Sequence, residues 1–153
     1  MSQPRGHDPD EIPPHAPAQP AGTLDELDPP AWGPPPDDAS PLVRRAHELR
    51  TVPLDRLGIE ELRLLIGQDV ARPVLVPLAL GMLRYEPLLE GDLYPGDLLH
   101  AVMRLPDAYW RDHPDHLAQL RASLALLDRS DPAYPTSDDG EFERSVARLT
   151  SGD

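Results

Sequence analysis

The sequence predicts an all-α protein, a compact bundle of about five short helices preceded by a disordered, proline-rich acidic tail. Three observations carry that reading. Apolar residues between positions 42 and 128 recur at helical spacing, prolines and capping residues punctuate them, and nothing sustains the period-two alternation of a strand. The one short β-like run, Val74-Leu75-Val76, is flanked by Pro73 and Pro77, which would remove ladder donors from a central strand.

Composition divides the 153 residues into three parts. Residues 1–41 hold 12 of the 21 prolines and eight acids against Arg5 alone, with Ile12, Leu24, Leu27 and Trp32 as the sizeable apolar groups. So little apolar surface does not offset ordering entropy, and the segment reads as disordered. Pro34-Pro35-Pro36 favours polyproline II. Leu24, Leu27 and Trp32 form either a docking motif or scattered residues of a solvated tail. Residues 42–128 form the helical domain, at net −3, and are long enough for a core of their own. Residues 129–153 return to a turn-rich acidic composition, with Phe142, Val146 and Leu149 spaced for one short amphipathic helix that docks or frays.

Within the domain the elements follow in order. Ser40-Pro41 supplies an N-cap and a first-turn proline for a helix through Arg50, with His47 on its outer face, and Pro53 ends it. A second helix runs from about Gly58 to Gln68, turning Leu62, Leu65 and Ile66 inward and Glu60, Glu61 and Arg63 outward. Residues 73–85 are apolar nearly all round, as in a central helix, with Pro77 either kinking it or serving as its true first residue. Leu98, Leu99, Val102 and Met103 mark a helix over 95–104, stopped by Pro106. The last follows Pro114 and carries Leu117, Leu120, Leu124 and Leu127.

Charge and motifs exclude several functions. A net charge of −13, with fourteen arginines as the only Lys or Arg residues, opposes binding to a phosphate backbone and suits a basic partner or solubility. The chain has no cysteine, no nucleotide-binding loop and no Gly-x-Ser-x-Gly motif, and Ser123 is the single serine of residues 42–128. The longest apolar stretch, Val74 to Leu83, is too short to span a membrane, and the opening residues lack a secretory signal, so the expected location is the cytoplasm.

Candidate chemistry is sparse. Asp112, His113, Asp115 and His116 offer a histidine pair at metal-ligand spacing, but Pro114 marks a helix start that Asp112 or His113 would cap. His100, among Leu98, Leu99 and Val102, reads as a partly buried helix residue rather than a base. Carboxylate pairs such as Glu60-Glu61, Glu90/Asp92 and Asp107/Asp112 suit solvated faces and caps better than a hydrolase dyad. In Glu90-Gly91-Asp92-Leu93-Tyr94-Pro95-Gly96-Asp97, Asp97 fits the first turn of the next helix, while Asp92 and Tyr94 serve equally as turn residues or as contacts for a basic partner. Tyr109-Trp110 reads as a core plug between helices, with an interface hot spot as the alternative.

Taken together, Leu57-Gly58-Ile59-Glu60-Glu61-Leu62-Arg63-Leu64-Leu65-Ile66-Gly67-Gln68, then Leu75 to Leu80, Glu86-Pro87-Leu88, Gly91 to Leu99 and Tyr109-Trp110 resemble the immunity proteins of bacterial contact-dependent growth inhibition systems. The resemblance runs from about Pro53 to Leu127, leaving the N-terminal tail and the last residues outside, and Gly58 stands where a Ser or Thr cap is expected. It implies a non-enzymatic antidote without cofactor or metal, held in the producing cell, that binds the toxic C-terminal domain of a cognate effector, in many cases a nuclease. The residues assigned to toxin binding are Glu60, Glu61, Glu90, Asp92 and Tyr94. A helical adaptor recruited through the proline-rich tail is the alternative, and a hydrolase using Asp112, His113 and His116 a third.

Overall fold

The computed structural model describes residues 21–137 and 139–151. Eight α-helices occur among them: α1 (Leu24–Leu27), α2 (Pro41–Leu49), α3 (Ile59–Gly67), α4 (Arg72–Leu83), α5 (Asp97–Met103), α6 (Asp107–Asp112), α7 (Pro114–Leu124) and α8 (Glu141–Thr150). A 3-10 turn lies at Leu54–Arg56. No strand forms among the described residues; two isolated bridges, Thr23 with Pro53 and Glu90 with Pro95, are the only extended pairings. The all-α fold class holds.

The central helix is α4. Leu75, Val76, Leu78, Ala79, Leu80, Met82 and Leu83 are all buried, as an all-round apolar pattern requires. Pro73 occupies the first turn and Pro77 lies inside the helix, which decides between the two alternatives for Pro77. Helices α3 and α5 bury Leu62 and Leu65 against Leu98, Leu99 and Val102 in the same core, and α7 adds Leu120 and Leu124. Helix α6, unanticipated as a helix, buries Tyr109 and Trp110 as a plug. Its six residues are too short for periodicity to register.

Helix α8 docks. Phe142, Val146 and Leu149 are buried, and Phe142 meets the rings of His100 and Tyr134 edge-on. Arg104 grips Glu141 through two nitrogens at 2.8–3.1 Å, Arg148 reaches the Met103 carbonyl, and Arg121 donates to the Leu149 carbonyl at 2.7 Å. Burial, then the hydrogen bond to Glu143, pushes the Tyr134 hydroxyl up to about 12.

The principal correction concerns residues 21–41. The expected disorder of residues 1–20 falls outside the described residues, but the rest of that segment is folded onto the bundle. Thr23 and Glu26 form a capping box that starts α1, and Leu24 is fully buried. The cause is Arg50, itself 0% exposed. Its Nε lies 2.7 Å from Asp25, Nη1 lies 3.2 Å from Asp28, and Nη2 donates to the Asp28 carbonyl at 2.6 Å. Trp32 covers the guanidinium at 4.5 Å, and the His47 ring packs on Trp32, so His47 is half-buried rather than on the outer face. Composition under-weights this segment because one buried arginine converts its acids from mutually repelling charges into ligands.

Removing one member of such a buried cluster strands the others. Arg50→Met should destabilise the protein by about 2–4 kcal/mol, below the full buried-pair value because Asp28 is partly solvated. Urea unfolding followed by circular dichroism measures it, and an unchanged midpoint would refute the role of Arg50.

Candidate functional site

The loop between α4 and α5 is built around one carboxylate. Asp97, the first residue of α5, has a side chain 1% exposed. It accepts hydrogen bonds from the backbone amides of Gly91 at 2.7 Å, Leu93 at 2.9 Å and Tyr94 at 3.4 Å. Glu60 of α3 accepts from the Asp92 amide at 2.8 Å, so two acids from two helices hold four consecutive amides. Arg63 lies between them, bonded to Glu60 at 2.7 Å and 3.8 Å from Asp97. Burial opposes ionisation of Glu60, but the bonds from Arg63 and the Asp92 amide outweigh it and hold its pKa below the usual glutamate value.

Two glycines make this geometry possible. A Cβ on Gly91 would stand 2.6 Å from Glu60 Oε1 and 3.2 Å from the Glu60 Cα. Gly96 has φ +89°, in the left-handed region, and a Cβ there would meet Leu88 and Pro135.

The clamped loop projects Asp92 and Leu93 into solvent, with Leu93 62% exposed. Tyr94 turns back, half-buried, and its hydroxyl bonds His100 Nδ1. His100 is buried, and its Nε2, without a hydrogen-bond partner, lies 3.8 Å from Glu141. Burial, with the Arg104 charge, depresses the His100 pKa, and burial raises that of Tyr94. Arg63, Leu93, Tyr94, Asp97, His100 and Arg104 line one side of a cleft of about 180 Å³.

The assigned binding residues separate into two groups. Glu60 and Tyr94 direct their polar atoms inward as structural ties. Glu61 accepts from the Gly58 amide at 2.8 Å and lies 3.6 Å from Arg45, so the carboxylate closes the helix start where Gly58 lacks a capping side chain. Glu90 and Asp92 are exposed. Asp97 does occupy the first turn, but its grip on the loop amides was missed. The two glycines bracketing the loop, with a carboxylate six residues after the first, are the signal that could have found it.

The histidine cluster takes a different form from the expected cap. His113 sits at the junction of α6 and α7, but its Nδ1 donates to the Tyr109 carbonyl at 2.9 Å and makes no cap bond to α7. The His113 and His116 rings stack in parallel at 5.1 Å, and His116 Nδ1 lies 2.9 Å from the Tyr109 hydroxyl. The described residues contain no group of three or more His, Asp or Glu arranged to hold a metal ion.

A family model described as CDI immunity proteins matches residues 26–120, more than half of the chain. The chain belongs to the CDI immunity protein family. Membership implies neutralisation of a toxin. The match begins at Glu26 in α1, well before Pro53, so it includes Asp28 and Trp32 of the segment that Arg50 holds. It contains the whole Glu60–Arg63–Asp97 cradle and the loop it supports. Comparison with curated proteins gives no significant match. No helix among the described residues is long and apolar enough to cross a membrane.

The cradle makes two stability predictions. Gly91→Ala should destabilise by about 1–3 kcal/mol through overpacking against Glu60, read as a lower melting temperature. Because the folded-state pKa of Glu60 is depressed, its contribution is present above the reference value of 4.5 and is lost as pH falls through the folded value. Glu60→Gln should therefore be less stable than wild type at pH 7, with the gap closing in acid. A constant gap in urea midpoints between pH 7 and pH 3 would contradict this.

Proposed function

We propose that this protein is a non-enzymatic antidote that binds the toxic C-terminal domain of a cognate contact-dependent growth inhibition effector in the cytoplasm of the producing cell. The observation that carries the proposal, beside family membership, is the clamped 90–94 loop. Four of its amides are fixed by buried or half-buried carboxylates, leaving Asp92 and the exposed Leu93 as a rigid pair facing solvent. A surface ordered before contact loses little conformational entropy on binding. Leu93 supplies an apolar anchor, and Glu90 and Asp92 beside it suit a basic toxin surface such as the positive cleft of a nuclease.

Glu60, Glu61 and Tyr94 enter this proposal as supports for the face rather than as its contacts. The adaptor reading loses its premise for residues 21–41, which pack on the domain instead of extending from it.

Co-expression with the toxin domain encoded beside this protein tests the function. Growth should be restored and a complex should co-purify; full toxicity with no complex would overturn the reading for that pair. Within a working pair, Asp92→Lys should slow association about tenfold at low salt and flatten its salt dependence, by stopped-flow mixing. An unchanged rate removes Asp92 from the interface.

A further inference from the structure

A second groove lies beside the same loop, between the turn that follows α4 and the turn that follows α7, with a volume of about 430 Å³. Its apolar surface includes Tyr85, 54% exposed, Leu126, 59% exposed, and the half-buried Leu88. Its charged lining residues are Glu86, Glu90, Asp128 and Asp131, all acidic and all exposed. None of these four carboxylates has an arginine within 4.0 Å among the described residues. Arg129, next to Asp128, is engaged with Glu143 at 2.6 Å, and the exposed Arg84, two residues before Glu86, does not line the groove.

Single-sign charge distinguishes this groove from the rest of the face. The cleft beside Leu93 mixes Arg63, Arg72 and Arg104 with Asp69 and Asp97, so its charges largely satisfy one another. Among the described residues, the acids lining the groove around Tyr85 and Leu126 form no ion pair with an arginine. Two of them are also fixed: Asp128 accepts from the amide and hydroxyl of Ser130, and Asp131 accepts from the Ala133 amide. Unscreened like charges held around exposed apolar side chains weaken the free protein slightly through repulsion. A partner with an apolar stem and a cationic head removes that repulsion and covers the apolar floor together.

We infer that this groove docks a cationic amphipathic segment, an apolar anchor flanked by lysine or arginine, at Tyr85, Leu88 and Leu126, with Glu86, Glu90, Asp128 and Asp131 receiving the cations. The inference rests on the antidote reading in assigning that segment to the toxin domain. Glu90 belongs both to the groove rim and to the loop carrying Asp92 and Leu93, so the two surfaces form one continuous face. The anchor then enters between the two turns, while Leu93 contacts the partner beyond the rim.

The test uses the full chain in three variants: Leu126→Ser, the double reversal Glu86→Lys with Glu90→Lys, and a control reversal of Asp37→Lys with Asp38→Lys, two exposed carboxylates that do not line the groove. Binding to the toxin domain is measured by biolayer interferometry at 50 and 300 mM salt, with circular dichroism confirming that each variant is folded. The inference expects Leu126→Ser to raise the dissociation rate about tenfold, the groove reversal to slow association about tenfold at low salt, and the control to do neither. If both groove variants bind and protect like wild type, the groove inference is overturned while the antidote reading stands. If wild type neither binds nor protects, the antidote reading fails. The groove is then decided by titrating a synthetic lysine–leucine amphipathic peptide against the same variants. Salt-sensitive binding lost in the groove variants and kept in the control supports it; absent binding, or equal binding to all variants, overturns it.

Discussion

A turn such as residues 91–94 between two helices would ordinarily sample many conformations, and its amides would be satisfied by water. Here the Asp97 carboxylate takes that place. It lies at the positive end of α5, where a negative charge is favoured, and it accepts three amides from residues 91–94. Arg63 balances it and ties Glu60 to the same cluster, so α3, α5 and the loop share one hydrogen-bond network. The loop face proposed for binding depends on this arrangement. Asp92 and Leu93 are presented by it, Gly91 is required by its closeness, and Tyr94 is turned onto His100 because its amide is already held.

Arg50 plays a parallel part at the end of α2. An arginine with no exposed surface must have its charge and all its donors answered, and the groups that answer it come from residues 24–32. Drawing that segment onto the bundle also seats Leu24 in the core. This changes the meaning of the net charge. With Arg5 against Asp8, Asp10 and Glu11, residues 1–20 carry only −2 of the −13, and the described residues, 21–137 and 139–151, carry −9. The folded unit is therefore strongly acidic, where composition had assigned about half of the charge to a tail. Recognition still depends on where the acids stand, since Asp25 and Asp28 are consumed by Arg50, whereas Glu86 and Glu90 stand without a cation.

Much of the helical plan was legible from residues alone. Helices α2, α3, α4, α5 and α7 follow from prolines, caps and apolar spacing, because helix starts and buried stripes are local properties of the chain. The Phe142, Val146 and Leu149 spacing likewise located α8. The short α1 and α6 were not legible: neither is long enough to show a period, and each is held by contacts distant in sequence or by buried aromatic rings. Glu60 and Glu61 on α3 and Glu90, Asp92 and Tyr94 on the loop before α5 were legible as candidates, but the direction in which each side chain points was decided by packing.

The sequence by itself determined the all-α architecture, the family, and the loop with its two glycines and terminal aspartate, since each is written in local spacing. Only the tertiary structure decided which carboxylates are internal ligands and which face solvent. That choice depends on which arginine lies within reach: Arg63 for Glu60 and Asp97, Arg50 for Asp25 and Asp28, and none for the rim of the Tyr85–Leu126 groove. Charge is additive along a chain, but its pairing is set by distances that only folding creates.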